Sequence, residues 1–562
     1  MQFAGLMPQV PLMLSLSKHA CTAVARAPFG RLRVSGVGGR GILVVAVGVL
    51  LLAGPAVGAS RLDDLRAKAQ AAIERRDPVS AEVMLRAAIK NGAREDELRA
   101  HLGEALLAEG DRAEARKVLE GGSFAPGTEA LGWRVRGQIA LAEGNLRGAA
   151  NAFDAALRAN SKDSDLWVAI AALRFSGGEQ LQSIEAADRA VALDPKNARA
   201  LAFRGLLIRE QYGLAAALPW FEAGLKVRPD DPALLGEYAA TLGDMGDYRA
   251  MLIVCRKLAQ VDPKNPRPAF LQAVLAARAG QTDLARTILQ RTGNAFRDMP
   301  AAILLTGVLE YRAGNTNVAV EQFDRLVRLQ PDNLEARQIL LRAMARQGSD
   351  QPLVARFDGD ADRAFAVPYT LRLVGQSWRR LGNKARADAL FARAAHPMAH
   401  GPVPLPTQFS ASVLGAAYID APGQAQTTVP YIRALLKEGR KDEAQAAADR
   451  LRDANPGAAE AHLLAGDVRT MRGDMAGALA DYQNGASIRF NEQVLRRMDA
   501  TLRALGRISD ADSMTSRYLA QNPQSVLAMK LLAASWAKGP RRDAYVAVSR
   551  ALAARGQPEA VQ

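Results

Sequence analysis

The tetrapeptide Asp-Pro-Lys-Asn occurs twice in the chain, and its prolines, Pro195 and Pro263, lie 68 residues apart. Because 68 is twice 34, the pair indicates a 34-residue repeat. Pro229 falls midway between them, and Pro331 falls 68 residues beyond Pro263. A fixed period of about 20–50 residues is typical of repeat architectures, in which each unit buries its apolar face against the next. This period constrains the fold more than any other feature of the sequence.

Three further kinds of residue keep the same period, and their agreement excludes a chance pattern. The glycines are Gly110, Gly144, Gly178, Gly246, Gly280, Gly314, Gly348 and Gly382; the slot at Tyr212 is missed and Gly213 follows it. Small residues occupy Gly103, Gly137, Ala171, Gly205, Ala239, Ala273, Gly307 and Gly375. Apolar residues occupy Leu119, Phe153, Ala187, Phe221, Cys255, Leu289, Phe323, Phe357 and Phe391.

The chemistry of these positions predicts a helical hairpin. In residues 133–160, good helix formers flank Gly144, which can adopt the left-handed conformation that ends a helix. Gly137 and Ala149 let the two helices approach closely, and Phe153 is expected to fill the space toward the next unit. The recurring proline closes the second helix, because it cannot continue the backbone hydrogen bonding.

A 34-residue helical hairpin with this pattern resembles the tetratricopeptide repeat. The resemblance covers roughly residues 60–555 and implies an all-α fold, a right-handed α-solenoid of about 13 helix–turn–helix units in two blocks. It is carried by the periodic residues above, by the closing prolines, and by Trp133, Trp167, Ala149, Ala217, Ala285, Ala319 and Ala387.

One unit departs from the repeat pattern. From Leu334 onward both small positions are leucine, Leu341 and Leu353, and residues 349–365 read as a poor second helix. We therefore expect a splayed or irregular hairpin there, with Phe357 still in phase.

The period divides the chain into segments. We expect a leader over 1–59, a partial unit over 60–95, an array of nine units over 96–395, a second block over 425–557 and a tail over 558–562. Residues 396–424 are rich in proline and break the period, so they form either a linker between the blocks or a loop folded onto the groove. We favour a partly ordered linker, docked through Phe409, Leu414, Tyr418 and Ile419.

The leader has the form of a secretory signal peptide. Its apolar core, residues 42–53, follows several arginines and leads to Val57-Gly58-Ala59, which suits cleavage near Ala59. The protein is therefore expected to be periplasmic or secreted. The alternative is an inner-membrane anchor over residues 42–57, but Pro55 and the short apolar length argue against it.

The charge and the cysteine content of the chain limit the classes of partner and the thiol chemistry that we expect. The net charge is +15, and removal of the leader with its five basic residues leaves +10, which favours acidic partners weakly. Export makes nucleic acid a poor candidate, and membrane contact is expected only through an uncleaved leader. Cys21 lies in the leader, and Cys255, in the apolar phase, is interpreted as a small buried hydrophobic residue rather than a reactive thiol.

No pattern in the sequence indicates catalysis. His396 and His400 are four residues apart, but Pro397 and Gly401 deny them a helix that would aim both at one metal ion. No phosphate-binding loop, zinc-protease motif or glycine-flanked serine is present. We therefore predict no enzymatic activity, no cofactor and no metal.

The resemblance implies that the first helices of successive hairpins line a concave groove that holds peptides or partner segments. The projected groove is apolar in the middle units and basic in the later ones, and arginine forks suit carboxylates, phosphates or acidic sugars. The alternative is that these arginines are ordinary solvated side chains. The predicted groove residues are Phe175, Phe270, Tyr311, Arg342, Tyr369, Arg372, Gln376, Arg379, Arg433, Arg496 and Arg503.

These features together predict a non-catalytic protein-binding scaffold in the cell envelope. Residues 462–486 and 496–523 loosely resemble tetratricopeptide proteins that accompany exopolysaccharide synthesis or envelope assembly. The expected partners are other proteins or peptide segments. The alternative function is direct binding of an anionic polysaccharide by the arginine-lined groove.

Overall fold

The computed structural model describes residues 55–330, 333–363, 366–396, 409–537 and 541–554, with side chains from Arg61 onward. Within these ranges the regular structure is entirely helical, in 29 helices. The chain divides into two compact units between Arg204 and Gly205, inside a helix. We call the described residues 55–204 the N-terminal unit and those from 205 to 554 the C-terminal unit.

The N-terminal unit holds four helical hairpins and the start of a ninth helix. The helices are α1 (Pro55–Glu74), α2 (Pro78–Lys90), α3 (Glu95–Glu109), α4 (Arg112–Glu120), α5 (Glu129–Ala142), α6 (Leu146–Ala159), α7 (Ser164–Ser176), α8 (Gln180–Leu193) and α9 (Ala198–Gln211).

The C-terminal unit continues the same hairpins from α9 onward. Its helices are α10 (Leu214–Val227), α11 (Pro232–Met245), α12 (Tyr248–Val261), α13 (Arg267–Arg278), α14 (Thr282–Gln290), α15 (Pro300–Ala313), α16 (Thr316–Leu329), α17 (Leu334–Gln347), α18 (Asp350–Asp362), α19 (Pro368–Arg380), α20 (Lys384–Ala395), α21 (Ala411–Asp420), α22 (Ala425–Lys437), α23 (Lys441–Ala454), α24 (Ala459–Arg472), α25 (Met475–Ile488), α26 (Glu492–Ala504), α27 (Ile508–Gln521), α28 (Val526–Trp536) and α29 (Arg542–Ala554).

The predicted all-α solenoid of helical hairpins is confirmed. The periodic glycines end the first helix of their hairpins in the left-handed conformation, from Gly110 at φ +89° to Gly382 at φ +87°. The displaced glycine, Gly213, also has a positive φ, +115°, and directly precedes α10. The segment boundaries that the period predicts stay predictions.

The small residues that recur every 34 positions leave room for a large side chain of the same hairpin. A Cβ atom at Gly137 would overlap the ring of Phe153, and a Cβ at Gly205 would lie 2.8 Å from the Phe221 ring. The expectation that Phe153 fills the space toward the next unit was therefore incomplete, because its ring lies on Gly137 within its own hairpin.

The unit beginning at Leu334 is regular in its helices but loose in its packing. The predicted poor second helix is wrong: α18 forms over 13 residues and buries Leu353 and Phe357. Pro352 falls in its first turn, where a missing N–H breaks no helical hydrogen bond, and so it does not oppose the helix. The two helices, α17 and α18, approach each other less closely than those of neighbouring hairpins do, as the leucines predict.

An unpaired helix follows the break in the period. The predicted linker contains α21, whose Tyr418 stacks on Tyr431 of α22 with ring centroids 4.4 Å apart. Leu414 packs beside them, whereas Ile419 is exposed and does not dock, and most of the Phe409 side chain is exposed to solvent. Residues 397–408 lie outside the described ranges, so the choice between linker and folded-back loop stays open.

The predicted leader also lies largely outside the described ranges. The helix α1 begins at Pro55, so Ala59 and Ser60, which flank the predicted cleavage site, fall inside it. Among the residues described, no helix combines the length and apolar character needed to cross a bilayer.

Candidate functional site: the A-helix face

The first helix of each hairpin, here called the A helix, lies on the inner side of the curve within each unit. A helices of successive hairpins contact each other at α3–α5, α5–α7, α11–α13, α13–α15, α17–α19 and α26–α28. The second helices, here called B helices, lie farther apart from one another. The A helices therefore form the concave face of each unit, here called the A-helix face.

Two tyrosines and three arginines meet on three successive A helices of the C-terminal unit. The guanidinium of Arg346 lies 4.4 Å from the ring centroid of Tyr311, and its Nη1 donates to the Tyr311 carbonyl over 3.1 Å. Arg342, one turn earlier on α17, lies 5.9 Å from the same ring. Together with Tyr369 and Arg372 of α19, these residues form what we call the arginine–tyrosine cluster.

The α19 side of the cluster is open to solvent. Tyr369 is 37% exposed and Arg372 is exposed. Burial raises the pKa of Tyr369, while the positive charges of Arg342 and Arg372 act against this rise, so all three groups share one electrostatic environment. Arg372 makes no ion pair with any described residue, and Gln376 is exposed one turn further along α19.

Three predicted groove residues are engaged elsewhere. Phe270 is buried in the core against Phe296, with ring centroids 5.2 Å apart. Arg379 lies over the Phe391 ring, 4.6 Å from its centroid, so it faces the B helix of its own hairpin. Arg503 is held by Asp499 at 2.9 Å and Asp512 at 2.8 Å. The prediction that these three side chains face the groove is wrong, because the rotation of each A helix about its axis differs from the one assumed from the sequence.

The other predicted residues have mixed exposure. Phe175, in the N-terminal unit, and Arg433 are half-buried, and Tyr311 is 8% exposed because Arg346 covers its ring. Arg496 is exposed on α26, one turn after Glu492. The structure therefore brings Tyr311, Arg342, Tyr369, Arg372 and Gln376 into one region and leaves the others apart.

A ladder of buried ion pairs between A helices was not predicted. In the C-terminal unit Glu237 accepts from Arg209 at 3.1 Å and from Arg267 at 2.6 Å, and its side chain is almost fully buried. Burial alone would raise the pKa of Glu237, but the guanidiniums of Arg267 and Arg209 hold it below the ordinary value. The sequence could have indicated these ion pairs through their spacing. Arg209 and Arg267 lie 28 and 30 residues from Glu237, on the A helices before and after the helix of Glu237.

The N-terminal unit carries a similar ladder. Arg134 of α5 contacts Glu104 of α3 at 3.2 Å and Asp165 of α7 at 3.1 Å. Asp165 in turn lies 3.4 Å from Arg199 of α9. These pairs join consecutive A helices, so they fix hairpin to hairpin rather than present charge to a partner.

One cavity lies where the α13–α14 hairpin meets the α15–α16 hairpin. Its volume is about 640 Å³, and it is lined by α14, the turns after it, α15 and α16. Because α14 has only nine residues, these turns replace the end of the B helix. Arg286 pairs with Glu310 at 3.1 Å and Arg325 pairs with Asp298, so the charged lining is largely engaged within the protein.

The described residues contain no cluster of His, Cys, Asp and Glu suited to a metal ion. His396 is exposed, and His400 lies outside the described ranges. His462 contacts the Pro456 carbonyl at 2.9 Å. Cys255 is buried as predicted, and burial raises the pKa of its thiol to about 11, which leaves it protonated and unreactive.

Comparisons with known proteins agree with the hairpin pattern. A family model described as the tetratricopeptide repeat matches residues 134–181, 304–351 and 432–489, which include α7, α16 and α24. No curated protein matches the sequence.

Several solved structures resemble parts of the chain. The APC/C heterotetramer Cut9–Hcn1 shares 13% identity, covering 86% of this chain and 98% of that chain, with a TM-score of 0.33. The pilF protein of Pseudomonas aeruginosa shares 20% identity, covering 37% and 96%, with a TM-score of 0.32. YrrB, a tetratricopeptide protein with an unusual peptide-binding site, shares 21% identity, covering 33% and 95%, with a TM-score of 0.24.

Proposed function

We propose that this chain, which is built from tetratricopeptide repeats, is a non-catalytic scaffold that holds acidic segments of partner proteins on the A-helix face of its C-terminal unit. Proteins with these repeats bind peptides or other proteins. Helical hairpins take up nearly all of the described residues, which supports a role in binding rather than catalysis.

The arginine–tyrosine cluster is the observation that carries the proposal. Arginine guanidiniums bind carboxylates through two parallel hydrogen bonds, and an adjacent aromatic ring orients the guanidinium plane. Arg342 and Arg346 lie over the ring of Tyr311 in this way, and Arg372 projects beside Tyr369 with no ion pair among the described residues. The net charge of +10 that remains after removal of the leader would speed the approach of an acidic segment.

The envelope location is part of the proposal. It is supported by the apolar core at residues 42–53 and by Val57-Gly58-Ala59, and a role in exopolysaccharide or envelope assembly by the loose resemblance of the later units. Mass spectrometry of the protein purified from cells is expected to give a mature chain that begins at Ser60. A full-length chain found only in the cytoplasmic fraction would contradict export.

The binding experiment uses the full chain and two acidic probes, a fluorescent poly-glutamate peptide and polygalacturonate. We expect the peptide to bind and the double variant Arg342→Glu, Arg372→Glu to lose at least tenfold in affinity. Each charged hydrogen bond contributes about 1.5–3 kcal/mol, so the loss of two such bonds lowers the affinity by more than tenfold. Affinity should also fall as salt rises, because the interacting charges are partly exposed.

The control is Arg256→Glu, which reverses an exposed arginine on the B helix α12. An equal loss in this variant would mean that net charge alone attracts the peptide, which contradicts a specific site. Binding of polygalacturonate but not of the peptide would replace the scaffold with the alternative function, a receptor for an anionic polysaccharide.

A further inference from the structure

The C-terminal unit contacts itself at residues far apart in sequence. Arg489 Nε donates to Glu210 Oε2 over 3.0 Å, and Gln211 Nε2 donates to the Ser487 carbonyl over 2.8 Å. The Phe490 N–H donates to the Glu210 carbonyl over 3.0 Å. The end of α9 is thereby joined to the end of α25 and to the residues that follow it.

The contact continues along the next helices. Gln521, at the end of α27, accepts from the Ala216 N–H in α10 over 2.9 Å. Gln524 donates to the Met245 carbonyl at the end of α11 over 3.3 Å. We call this line of contact the clasp, formed by Glu210, Gln211, Ala216 and Met245 on one side and by Ser487, Arg489, Phe490, Gln521 and Gln524 on the other.

The clasp satisfies backbone groups that helix ends leave without partners. The Glu210 and Met245 carbonyls lie in the last turns of α9 and α11, and the Ala216 N–H lies in the first turn of α10. Gly213, which precedes α10, has no side chain to cap that turn. Water can take the place of each clasp partner at such a helix end, so opening the clasp leaves no buried polar group unsatisfied.

The displaced glycine belongs to the same feature. A Cβ atom at Gly213 would lie 2.7 Å from the Gln521 Cβ and 2.9 Å from the Asn522 side chain. A Cβ atom placed at either of the periodic glycines Gly280 and Gly314 would meet no neighbouring atom. The shift of the glycine from 212 to 213 therefore coincides with the place where α27 docks.

The clasp is polar, whereas neighbouring hairpins are joined by buried apolar side chains. Its ion pair, Glu210 with Arg489, is partly exposed to solvent, with the two side chains 19% and 16% accessible. Polar contacts of this kind between parts of a chain permit relative motion, and salt weakens their charged component.

The clasp joins α9, α10 and α11 to residues at the ends of α25 and α27, so the A helices between them lie in a closed circuit of the chain. Glu335 in the first turn of α17 and Glu492 in the first turn of α26 are 157 residues apart but interact electrostatically. Burial, with a contribution from Glu335, raises the pKa of Glu492. The first turns of α17 and α26 therefore lie near each other, within the stretch of chain that the clasp closes.

We propose that the clasp is a reversible closure of the C-terminal unit, which restricts access to the A-helix face when closed and admits a partner when open. The proposal goes beyond the partner-binding role, since the closure is a property of the chain alone. Its test therefore needs no ligand.

The test measures the distance across the clasp in the full chain. Cys21→Ser and Cys255→Ala remove the native thiols, and Tyr212→Cys and Asn484→Cys, both at exposed positions, carry nitroxide labels. Pulsed electron paramagnetic resonance is expected to show one short distance at low salt. In 1 M NaCl we expect a second, longer population.

Two variants open the clasp by different routes, each with a matched control. Arg489→Met removes an arginine paired with two carboxylates, Glu210 and Glu460; its control is Arg440→Met, which is paired with Glu438 and Glu443 outside the clasp. Gly213→Ala inserts a methyl group against Gln521; its control is Gly280→Ala, also at positive φ but with open space.

Both clasp variants should shift the distances toward the long population, while both controls keep the distribution of the parent. Circular dichroism confirms that each variant is folded. Unchanged distances in both clasp variants, or a parent protein whose distances are broad and long at low salt, would overturn the proposal.

Discussion

At the residue scale, the array depends on pairs of residues 16 positions apart whose sizes compensate. A glycine on the A helix stands opposite a large side chain on the B helix, as in Gly307 with Phe323 and Gly466 with Tyr482. An alanine stands opposite a smaller one, as at Ala239 with Cys255. Leu341 with Phe357 has two large members, which explains why α17 and α18 are held apart.

A double-mutant cycle on Gly307 and Phe323 tests this compensation. Gly307→Ala should destabilise α15 and α16 by about 1–3 kcal/mol, because its methyl group overlaps the Phe323 ring and outweighs the gain of about 1 kcal/mol in helix propensity. Adding Phe323→Leu reproduces the natural Ala273–Leu289 pair and should recover about 1 kcal/mol as coupling. Hydrogen exchange of the two helices measures the effect, and strictly additive losses would contradict it.

His101 should make the N-terminal unit sensitive to mild acid. Burial, with the nearby Arg66 and Arg134, lowers the pKa of His101 to about 4 from its ordinary 6.5, so the folded unit keeps the ring neutral. The unfolded chain then binds the proton more readily, and stability falls as the pH drops from above 6.5 toward 4. Between pH 7 and pH 5 the expected loss is about 2 kcal/mol.

Hydrogen exchange of α3 at the two pH values, corrected for the intrinsic exchange rate, measures this loss. The His101→Gln variant is the control, since it has no proton to bind in this range. Equal pH dependence in the variant and the parent would assign the effect to other groups.

At the scale of elements, buried ion pairs align one A helix with the next. Glu237 joins α11 to α9 through Arg209 and to α13 through Arg267. Apolar side chains at the interface allow neighbouring helices to slide along each other, whereas two guanidiniums bound to one buried carboxylate fix the register of three helices. The same spacing recurs at Asp467 and Arg497, 30 residues apart.

Glu237→Gln should destabilise this region by about 3–5 kcal/mol, because it leaves two arginines without their buried counter-charge. Urea unfolding followed by hydrogen exchange of α9, α11 and α13 would measure the loss. Asp510→Asn, which breaks an exposed pair with Arg507, is the control and should change stability by less than about 1 kcal/mol. A similar small effect for both variants would show that the ladder is not stabilising.

At the scale of the whole molecule, each hairpin is stabilised mainly by its neighbours, and the clasp is the exception in the C-terminal unit. It joins Glu210 to Arg489, which are 279 residues apart. No period in the sequence could indicate this contact, because it depends on small rotations added over many hairpins. The distance measurement across the clasp is therefore the experiment that belongs to this scale.

The candidate site was predicted in part. The repeat phase correctly assigned Arg342, Tyr369 and Arg372 to A helices, and the structure brings them together near Tyr311. Arg379 and Arg503 are also on A helices, but they turn toward carboxylates and rings of B helices. Each residue rotates the helix by about 100°, so a small error in register moves a side chain from the open face to the packed one.

The sequence by itself determined the helical hairpin, its 34-residue period and the glycine turns. These features are local: each depends on the conformational preference of one residue or on the fit of two residues within one hairpin. Only the tertiary structure decided which arginines stay open and where the chain meets itself. Both depend on how packed helices rotate and curve, which is the sum of many contacts that no single stretch of sequence contains.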